Sequence, residues 1–323
     1  MDFQTGRIFA LLWRTLPFIV LRLAVYLGIT LAYLIGVGIG SGIGLLFGHI
    51  GGQGGGGTVL GGVIGFALIS GIVFWAREYL LYLVKAGHIA VLVELMDGRD
   101  VPAGKSQIDY ATGVVKQRFA TSSVLFGLNQ LLRGILRAFN RVTVSIASWL
   151  PIPGLDALVR VADAIVNTSL SHLDQVILAQ ILRSRSDNAW ATARDCVVLY
   201  AQNYKPVLKN AVFLTFVIWG LTLLLVVLAA APVAAVIGLF NVHAGIWTFA
   251  LAIVAALSVK AALIDPFATV ALLQVYDHVT KGQAPNPEWT AKLESLSGQF
   301  RTLVEKARAP ASPLPPAPAT GAA

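Results

Sequence analysis

The stretch that decides the fold covers residues 23–76 and reads LAVYLGITLAYLIGVGIGSGIGLLFGHIGGQGGGGTVLGGVIGFALISGIVFWA. These 54 residues contain no Lys, Arg, Asp or Glu. The hydrocarbon core of a bilayer is about 30 Å thick, so one helix needs about 20 apolar residues to cross it. The stretch is too long for one crossing, and the glycine-rich residues 51–57 disfavour a helix. It therefore predicts a membrane hairpin with legs at about 18–48 and 58–76 and a turn between them.

Composition places the whole chain in the same class. Hydrophobic residues make up 56% of the sequence and charged residues 12%, whereas soluble proteins carry about 25% charged residues. The net charge of +8 comes from basic residues that flank the apolar runs, as membrane topology requires, so we expect no binding to nucleic acid. The first apolar segment exceeds the core of a cleavable signal, and we expect it to stay in the membrane.

A second run without acidic or basic residues covers residues 210–259. It predicts another membrane hairpin, with legs at about 207–240 and 246–279 and a turn at 241–245. The fold class predicted is therefore an all-α integral membrane protein with two long transmembrane hairpins, four spans in total, and amphipathic helices between and beside them. The predicted partner of these spans is the lipid bilayer.

The two hairpins have matching features in the same order. The matched positions are Pro17 with Pro206, Arg22 with Lys209, and Arg77 with Lys260. One explanation is a duplication, in which case the copies would be parallel and related by an axis along the membrane normal. The other is that membrane physics imposes similar hairpins on unrelated segments.

Glycine recurs every four residues on both legs of the first hairpin, which places these residues along one face of each helix. In lipid, small residues let two backbones approach closely. We predict tight helix packing at Gly36, Gly40, Gly44, Gly61 and Gly65; the alternative is a flexible or pore-lining role.

Residues 121–183 predict an amphipathic helical hairpin that turns at 151–154. Arg133, Arg137 and Arg141 form a stripe on its first arm, and the second arm carries Asp163. Antiparallel arms would bring Arg141 near Asp163, which predicts a polar seam between the arms or else a solvated face; a polar groove for a solute is the sharper alternative. The apolar tip is expected in the membrane interface or inside the protein.

The predicted organisation has eight parts. They are an N-terminal interfacial helix (1–16, or else an extension of the first span), hairpin 1 with a cytoplasmic extension (17–97), a cytoplasmic helix (98–120), the amphipathic hairpin (121–183), an interfacial helix (184–205), hairpin 2 (206–281), a cytoplasmic helix (282–308) and a disordered Pro/Ala-rich tail (309–323). Neither inter-leg turn contains Lys or Arg. The positive-inside rule then places both termini in the cytoplasm of a bacterial inner membrane.

The sequence contains no pattern typical of an active site, a metal site or a cofactor site, so we expect no enzyme and no cofactor. Lys260 lies about 14 residues, or about 21 Å, from the outer end of its predicted leg. An ionisable residue within a span is by default a functional hypothesis, and Asp265, Arg77 and Glu78 complete this candidate intramembrane polar site. The alternative is that the lysine reaches the cytoplasmic headgroups.

The segment ARDCVVLY at 193–200, followed by the second hairpin and Ile264-Asp265-Pro266, resembles the choline-transporter-like family. The layout of long spans beside an amphipathic hairpin is also similar to the CysZ sulfate-permease architecture and to multi-pass proteins of bacterial inner membranes in general. These resemblances carry over no functional residue.

Two functions therefore stay open. One is a transporter or channel for a small solute, formed as an oligomer. The other is a non-enzymatic scaffold or accessory subunit of a membrane complex. Four spans are few for a monomeric transporter, which favours an oligomer or the scaffold.

Overall fold

The computed structural model describes residues 2–50, 54–119, 172–184, 188–238 and 246–309, together with Leu131, Ile135 and Ser186. Every regular element in these ranges is helical. The helices are α1 (Thr5–Arg14), α2 (Leu16–Ile50), α3 (Gly54–Met96), α4 (Gln107–Phe119), α5 (Leu173–Ser184), α6 (Ala189–Gln202), α7 (Tyr204–Gly238), α8 (Ile246–Val259), α9 (Asp265–Thr280), α10 (Pro287–Leu296) and α11 (Gly298–Arg308). One π-helical turn, Lys260–Ile264, joins α8 to α9.

The chain divides into two compact units. The first, called here the helical unit, comprises Met1–Leu16, Ala86–Leu221 and Asp265–Ala323. The second, called the hairpin unit, comprises Pro17–Lys85 and Thr222–Ile264.

Three described helical segments are long and apolar enough to cross a membrane: Tyr79–Met96, Tyr204–Ala235 and Ala252–Thr280. A fourth is added if Thr5–Arg14 and Leu16–Ala32 count as one broken span. The segment 79–96 is 61% buried inside the protein, so most of its surface contacts other helices. These lengths and compositions are those of a helical membrane protein.

Helix α3 begins earlier than the sequence indicates. The predicted turn at residues 51–57 is too long, because the helix starts at Gly54 and includes the last four residues of that segment. A Cβ added at Gly44 would overlap the Gly57 carbonyl, so α2 packs directly against the start of α3. Glycine costs a helix about 1 kcal/mol per residue; here close packing and the internal backbone hydrogen bonds offset that cost.

The core of the helical unit forms where α6 packs between α5 and α11. Asn188 caps α6, accepting a hydrogen bond from the backbone N–H of Ala191 at 2.9 Å. The inward faces of α6 and α11 supply the apolar core, with Val197, Val198, Phe300 and Leu303 all at most 1% exposed. The segment predicted as one interfacial helix, 184–205, therefore buries one face against protein.

The segment predicted as one cytoplasmic helix, 282–308, contains two helices, α10 and α11. Ser297 adopts an extended backbone, with φ −141° and ψ 115°, and separates α10 from α11. Its side chain caps α11 by accepting from the backbone N–H of Phe300 at 3.2 Å. This cap satisfies a donor that would lack a partner at the new helix start.

Helix α1 is separate from α2, since Thr15 ends it with a non-helical ψ of 24°. Its residues Ile8, Leu11 and Leu12 are buried in the protein, and the ring of Phe9 lies 5.5 Å from that of Phe267. The face expected to lie on a membrane is thus largely taken up by packing on α9.

Most of the predicted amphipathic hairpin lies outside the described residues, as do the whole predicted turn at 241–245 and the Pro/Ala-rich tail after residue 309. Helix α5 is the described end of its second arm.

Candidate functional site

Helices α2 and α3 approach most closely at their glycines, within the hairpin unit. A Cβ on Gly40 would lie 2.8 Å from the Cα of Gly65, and one on Gly61 would lie 2.7 Å from the Cα of Gly44. Real Cβ atoms do not come this close to backbone, so no larger residue fits without moving a helix. Glycines with higher residue numbers on α2 contact glycines with lower residue numbers on α3. The two helices are therefore antiparallel.

A groove of about 750 Å³ opens beside this glycine contact. The side chains that line it belong to Gly, Ile, Leu and Phe; the larger ones are Ile35, Ile39, Ile43, Phe47, Leu60, Ile64, Leu68 and Ile69. We call this surface the glycine groove. Its apolar lining suits hydrocarbon or an apolar helix and offers no side chain that could hydrogen-bond a solute.

Lys260 begins the π-helical turn that precedes α9. Proline at position 266 has no N–H to continue the α-helical ladder, and a π-turn accommodates this loss. Lys260 and Asp265 are both half-buried. The structure therefore places them at the two ends of one irregular turn, and single π-turns occur frequently at functional sites.

A buried polar contact follows this turn in the helical unit. The Thr269 hydroxyl oxygen lies 2.9 Å from the Gln175 side-chain oxygen and 2.9 Å from the Asp265 carbonyl oxygen. The hydroxyl has one proton, so it donates to one of these acceptors at a time. Gln175 and Thr269, at 6% and 2% exposure, join α5 to α9.

The other members of the candidate polar site are less fully placed. Arg77 and Glu78 lie within α3, and their side chains are outside the description. Arg133, Arg137, Arg141 and Asp163, the predicted seam, all lie outside the described residues, and the seam stays a prediction.

A charged cluster that the sequence did not indicate joins three elements of the helical unit. The Arg183 Nη1 lies 2.8 Å and 2.9 Å from the two carboxylate oxygens of Asp277. The Arg183 Nε lies 3.1 Å from a carboxylate oxygen of Asp97, just after α3. Gln180 also donates to Asp277, at 2.8 Å. The cluster links α5, α9 and the end of α3.

A second missed contact is buried. The Nε2 of His88 lies 3.0 Å from the Thr15 hydroxyl, which also donates to the Leu11 carbonyl at 2.9 Å. Because the one Thr15 hydroxyl proton goes to Leu11, the hydroxyl oxygen accepts a hydrogen bond from the Nε2–H of His88. The contact ties the C-terminus of α1 to α3. Dispersed histidines in the sequence gave no signal for it.

Cys196, the one cysteine of the chain, lies buried on α6. Burial disfavours the thiolate and raises the pKa of Cys196 to about 12, although the Tyr276 hydroxyl acts in the opposite direction. A thiol with this pKa is a poor nucleophile at neutral pH.

Comparison with known proteins found no matching family model, no matching curated protein and no matching solved structure.

Proposed function

We propose that this chain is a non-enzymatic membrane scaffold or accessory subunit, held in the bilayer by two helical hairpins and acting through its helical unit. The observation that carries the proposal is the lining of the glycine groove, which consists of Gly, Ile, Leu and Phe. Carriers and channels place polar groups around their substrates within the membrane. The groove instead has the chemistry of a surface that contacts apolar helices or lipid.

The buried polar side chains of the helical unit support the same function. His88 contacts Thr15, Gln175 contacts Thr269, and Asn210 donates to the Asp2 carboxylate at 2.7 Å. Buried polar contacts of this kind favour one packing arrangement. We propose that this unit lies in the cytoplasm and presents a fixed surface to a partner.

The proposed arrangement has two parallel copies of the hairpin in an inner membrane, with both termini in the cytoplasm. Two matched caps support a duplication. Thr15 (φ −105°, ψ 24°) and Asn203 (φ −108°, ψ 25°) end the short helices before α2 and α7. Each side chain donates to the carbonyl four residues earlier, at 2.9 Å in both cases.

The long second legs end alike as well. Gly98 follows α3 with φ +76° and Gly282 follows α9 with φ +73°. Glycine adopts this left-handed conformation without steric cost, which makes it the usual residue after a helix end. Matched helix starts and matched helix ends at corresponding places support a duplication.

The test is purification of the full chain from its native membrane in mild detergent. Light scattering gives the mass of the protein part, and mass spectrometry identifies co-eluting chains. The proposal predicts a stoichiometric partner or an oligomer that persists through two columns. A monomer that eluted alone and gave selective solute flux in proteoliposomes would overturn it.

A second candidate, a small-solute transporter or channel active as an oligomer, is favoured by one observation. Arg22 is 2% exposed although it lies early in α2, within a segment that can form part of a span. Buried charge at membrane depth and the π-turn at Lys260 are both typical of transport sites.

Proteoliposome flux separates the two candidates. For a transporter, Lys260→Met and Arg22→Met should each lower flux at least tenfold while expression persists. Lys116→Met, which changes an exposed lysine on α4, is the control and should have no effect. Wild-type vesicles without flux for cations, anions or choline-like solutes would exclude this candidate.

A further inference from the structure

Aromatic rings and lysines form a continuous exposed surface where α7 begins. The rings of Tyr204 and Trp289 lie 6.4 Å apart. The Lys292 Nζ lies 4.8 Å from the Trp289 ring centre, and the Lys205 Nζ lies 6.0 Å from the Tyr204 ring centre. Lys209 is one turn further along α7, on the same face as Lys205. We call these five residues the aromatic–lysine surface.

The surface is accessible to a partner. Tyr204 is 45% exposed, and all three lysines are exposed. The start of α7, up to Leu221, and the whole of α10 belong to the helical unit. The contact between the Tyr204 and Trp289 rings joins the start of α7 to α10. The lysines of these two helices therefore form one patch.

Its depth in a bilayer follows from the length of α7. The 29 residues from Asn210 to the end of the helix at Gly238 span about 44 Å. A bilayer with its headgroups is about 40–45 Å thick. If α7 crosses the membrane, as the proposed function requires, the three lysines lie at the level of the headgroups on the opposite side from Gly238.

The charge of the surface selects the headgroup. Three lysines face two nearby carboxylates, Glu288 beside Trp289 and Asp2, which is hydrogen-bonded to Asn210. A net positive patch with tyrosine and tryptophan beside it is complementary to an anionic, interfacial ligand. We infer that the aromatic–lysine surface binds the headgroups of anionic phospholipids and anchors α7 and α10 to the cytoplasmic face of the membrane.

The end of α1, just before α2, provides a contrast within the same chain. Trp13 is 76% exposed there, and the neighbouring basic residue, Arg14, forms an ion pair with Asp100. A cation that is already neutralised attracts an anionic lipid less. The structure therefore assigns anionic-lipid binding to the second half of the chain.

The experiment measures the melting temperature of the full-length protein in mild detergent after addition of phosphatidylglycerol, phosphatidylcholine or free glycerol phosphate. Phosphatidylglycerol should raise the melting temperature by about 3 °C or more beyond the effect of phosphatidylcholine. Free glycerol phosphate should have no effect, because it lacks the acyl chains that hold the headgroup at the surface. The difference between the two lipids should shrink at high salt.

The triple variant K205Q/K209Q/K292Q should lose the phosphatidylglycerol increment and keep the phosphatidylcholine response. Lys116→Gln is the matched control and should keep both. If the triple variant does not fold, two other variants replace it. K205R/K209R/K292R should show the full phosphatidylglycerol increment, and the single variant Lys292→Gln should show a reduced one. An unchanged phosphatidylglycerol increment in the glutamine variants would overturn the inference.

The inference would also be overturned if the glutamine variants lost a co-purifying protein but kept the lipid increment. Both results would count against lipid binding even if the chain proves to be a transporter. The absence of a protein partner would leave the inference intact.

Discussion

Arg183 and Asp277 join α5 to α9 through one nitrogen and two oxygens, with the Arg183 Nη1 2.8 Å and 2.9 Å from the two carboxylate oxygens. The side chains are 21% and 34% exposed, so water screens them less than a surface pair. Pairs of this kind gain from charge-assisted hydrogen bonds, but removal of one partner leaves the other charge partly buried.

Asp277→Leu should therefore destabilise the protein by about 1–3 kcal/mol, and the double variant with Arg183→Met should lose less than the sum of the single losses. Thermal melting in detergent measures the four members of this cycle. The control is the pair Arg308 and Glu294, which are 3.9 Å apart and 71% and 30% exposed. Its coupling should be below about 0.5 kcal/mol. Equal coupling in the two cycles would show that partial burial adds nothing to the Arg183 pair.

This ion pair also shows where prediction from sequence ends. The long legs follow from composition: the predicted legs 18–48 and 207–240 agree within three residues with α2 and α7, because runs without charge have few alternatives to a helix in a membrane. Arg183 and Asp277 are 94 residues apart, and no periodicity relates them. Their contact depends on how helices pack, which a single sequence does not specify.

The candidate site divides in the same way. Four-residue spacing placed Gly40 and Gly61 on facing sides of their helices, and the structure has them in contact. Arg22 is paired with Lys209 in the sequence comparison of the two hairpins, and nothing in that pairing predicts that it is 2% exposed. The break at Ser297 was missed because the polar pattern continues through it, although Ser-Gly is a dipeptide that marks turns and serine is a common N-cap.

Gly40→Leu should destabilise the protein more than Gly42→Leu. A side chain at position 40 meets the backbone of Gly61 and Gly65, whereas position 42 has open space within 4 Å. Both changes raise helix propensity equally, so the difference reports the contact alone. Overpacking typically costs about 1–3 kcal/mol, and more where two backbones must separate. Melting in detergent measures it; equal melting of the two variants would show that these helices do not pack through this face.

In the folded protein Cys196 should resist labelling by maleimide. Its buried thiol should also make the folding stability of the protein decrease at high pH. The pKa of Cys196 is raised to about 12 by burial, so the native state holds its proton at pH values where the unfolded chain, with a pKa near 8.5, has lost it. The native state then binds more protons, and this contribution to stability is complete below about pH 8.5 and is lost as pH rises towards 12.

Wild-type protein should lose more stability between pH 9 and 11 than Cys196→Ala. Tyr200, whose pKa burial also raises to about 12, is present in both proteins and cancels. Rapid maleimide labelling of folded wild-type protein at pH 7 would contradict the prediction.

The orientation of the chain can be tested on the same cysteine-free background. With Cys196→Ala, single cysteines introduced at Gln53 and Asn241 fall in the two inter-leg turns that the sequence predicts, and one at Ser184 lies at the end of α5, before the second hairpin. The absence of Lys and Arg from both turns places them outside under the positive-inside rule. An impermeant maleimide added to intact cells or spheroplasts should therefore label positions 53 and 241 and leave position 184 unlabelled until the membrane is opened. Ser184 is exposed on the helical unit, so protection of a cysteine at this position reports the membrane barrier and not burial in the protein.

If the two turns were on opposite sides of the membrane, the two hairpin copies could not be parallel. Labelling of position 184 in sealed cells with protection of both turns would reverse the orientation, and with it the assignment of the lysines at 205, 209 and 292 to the cytoplasmic leaflet.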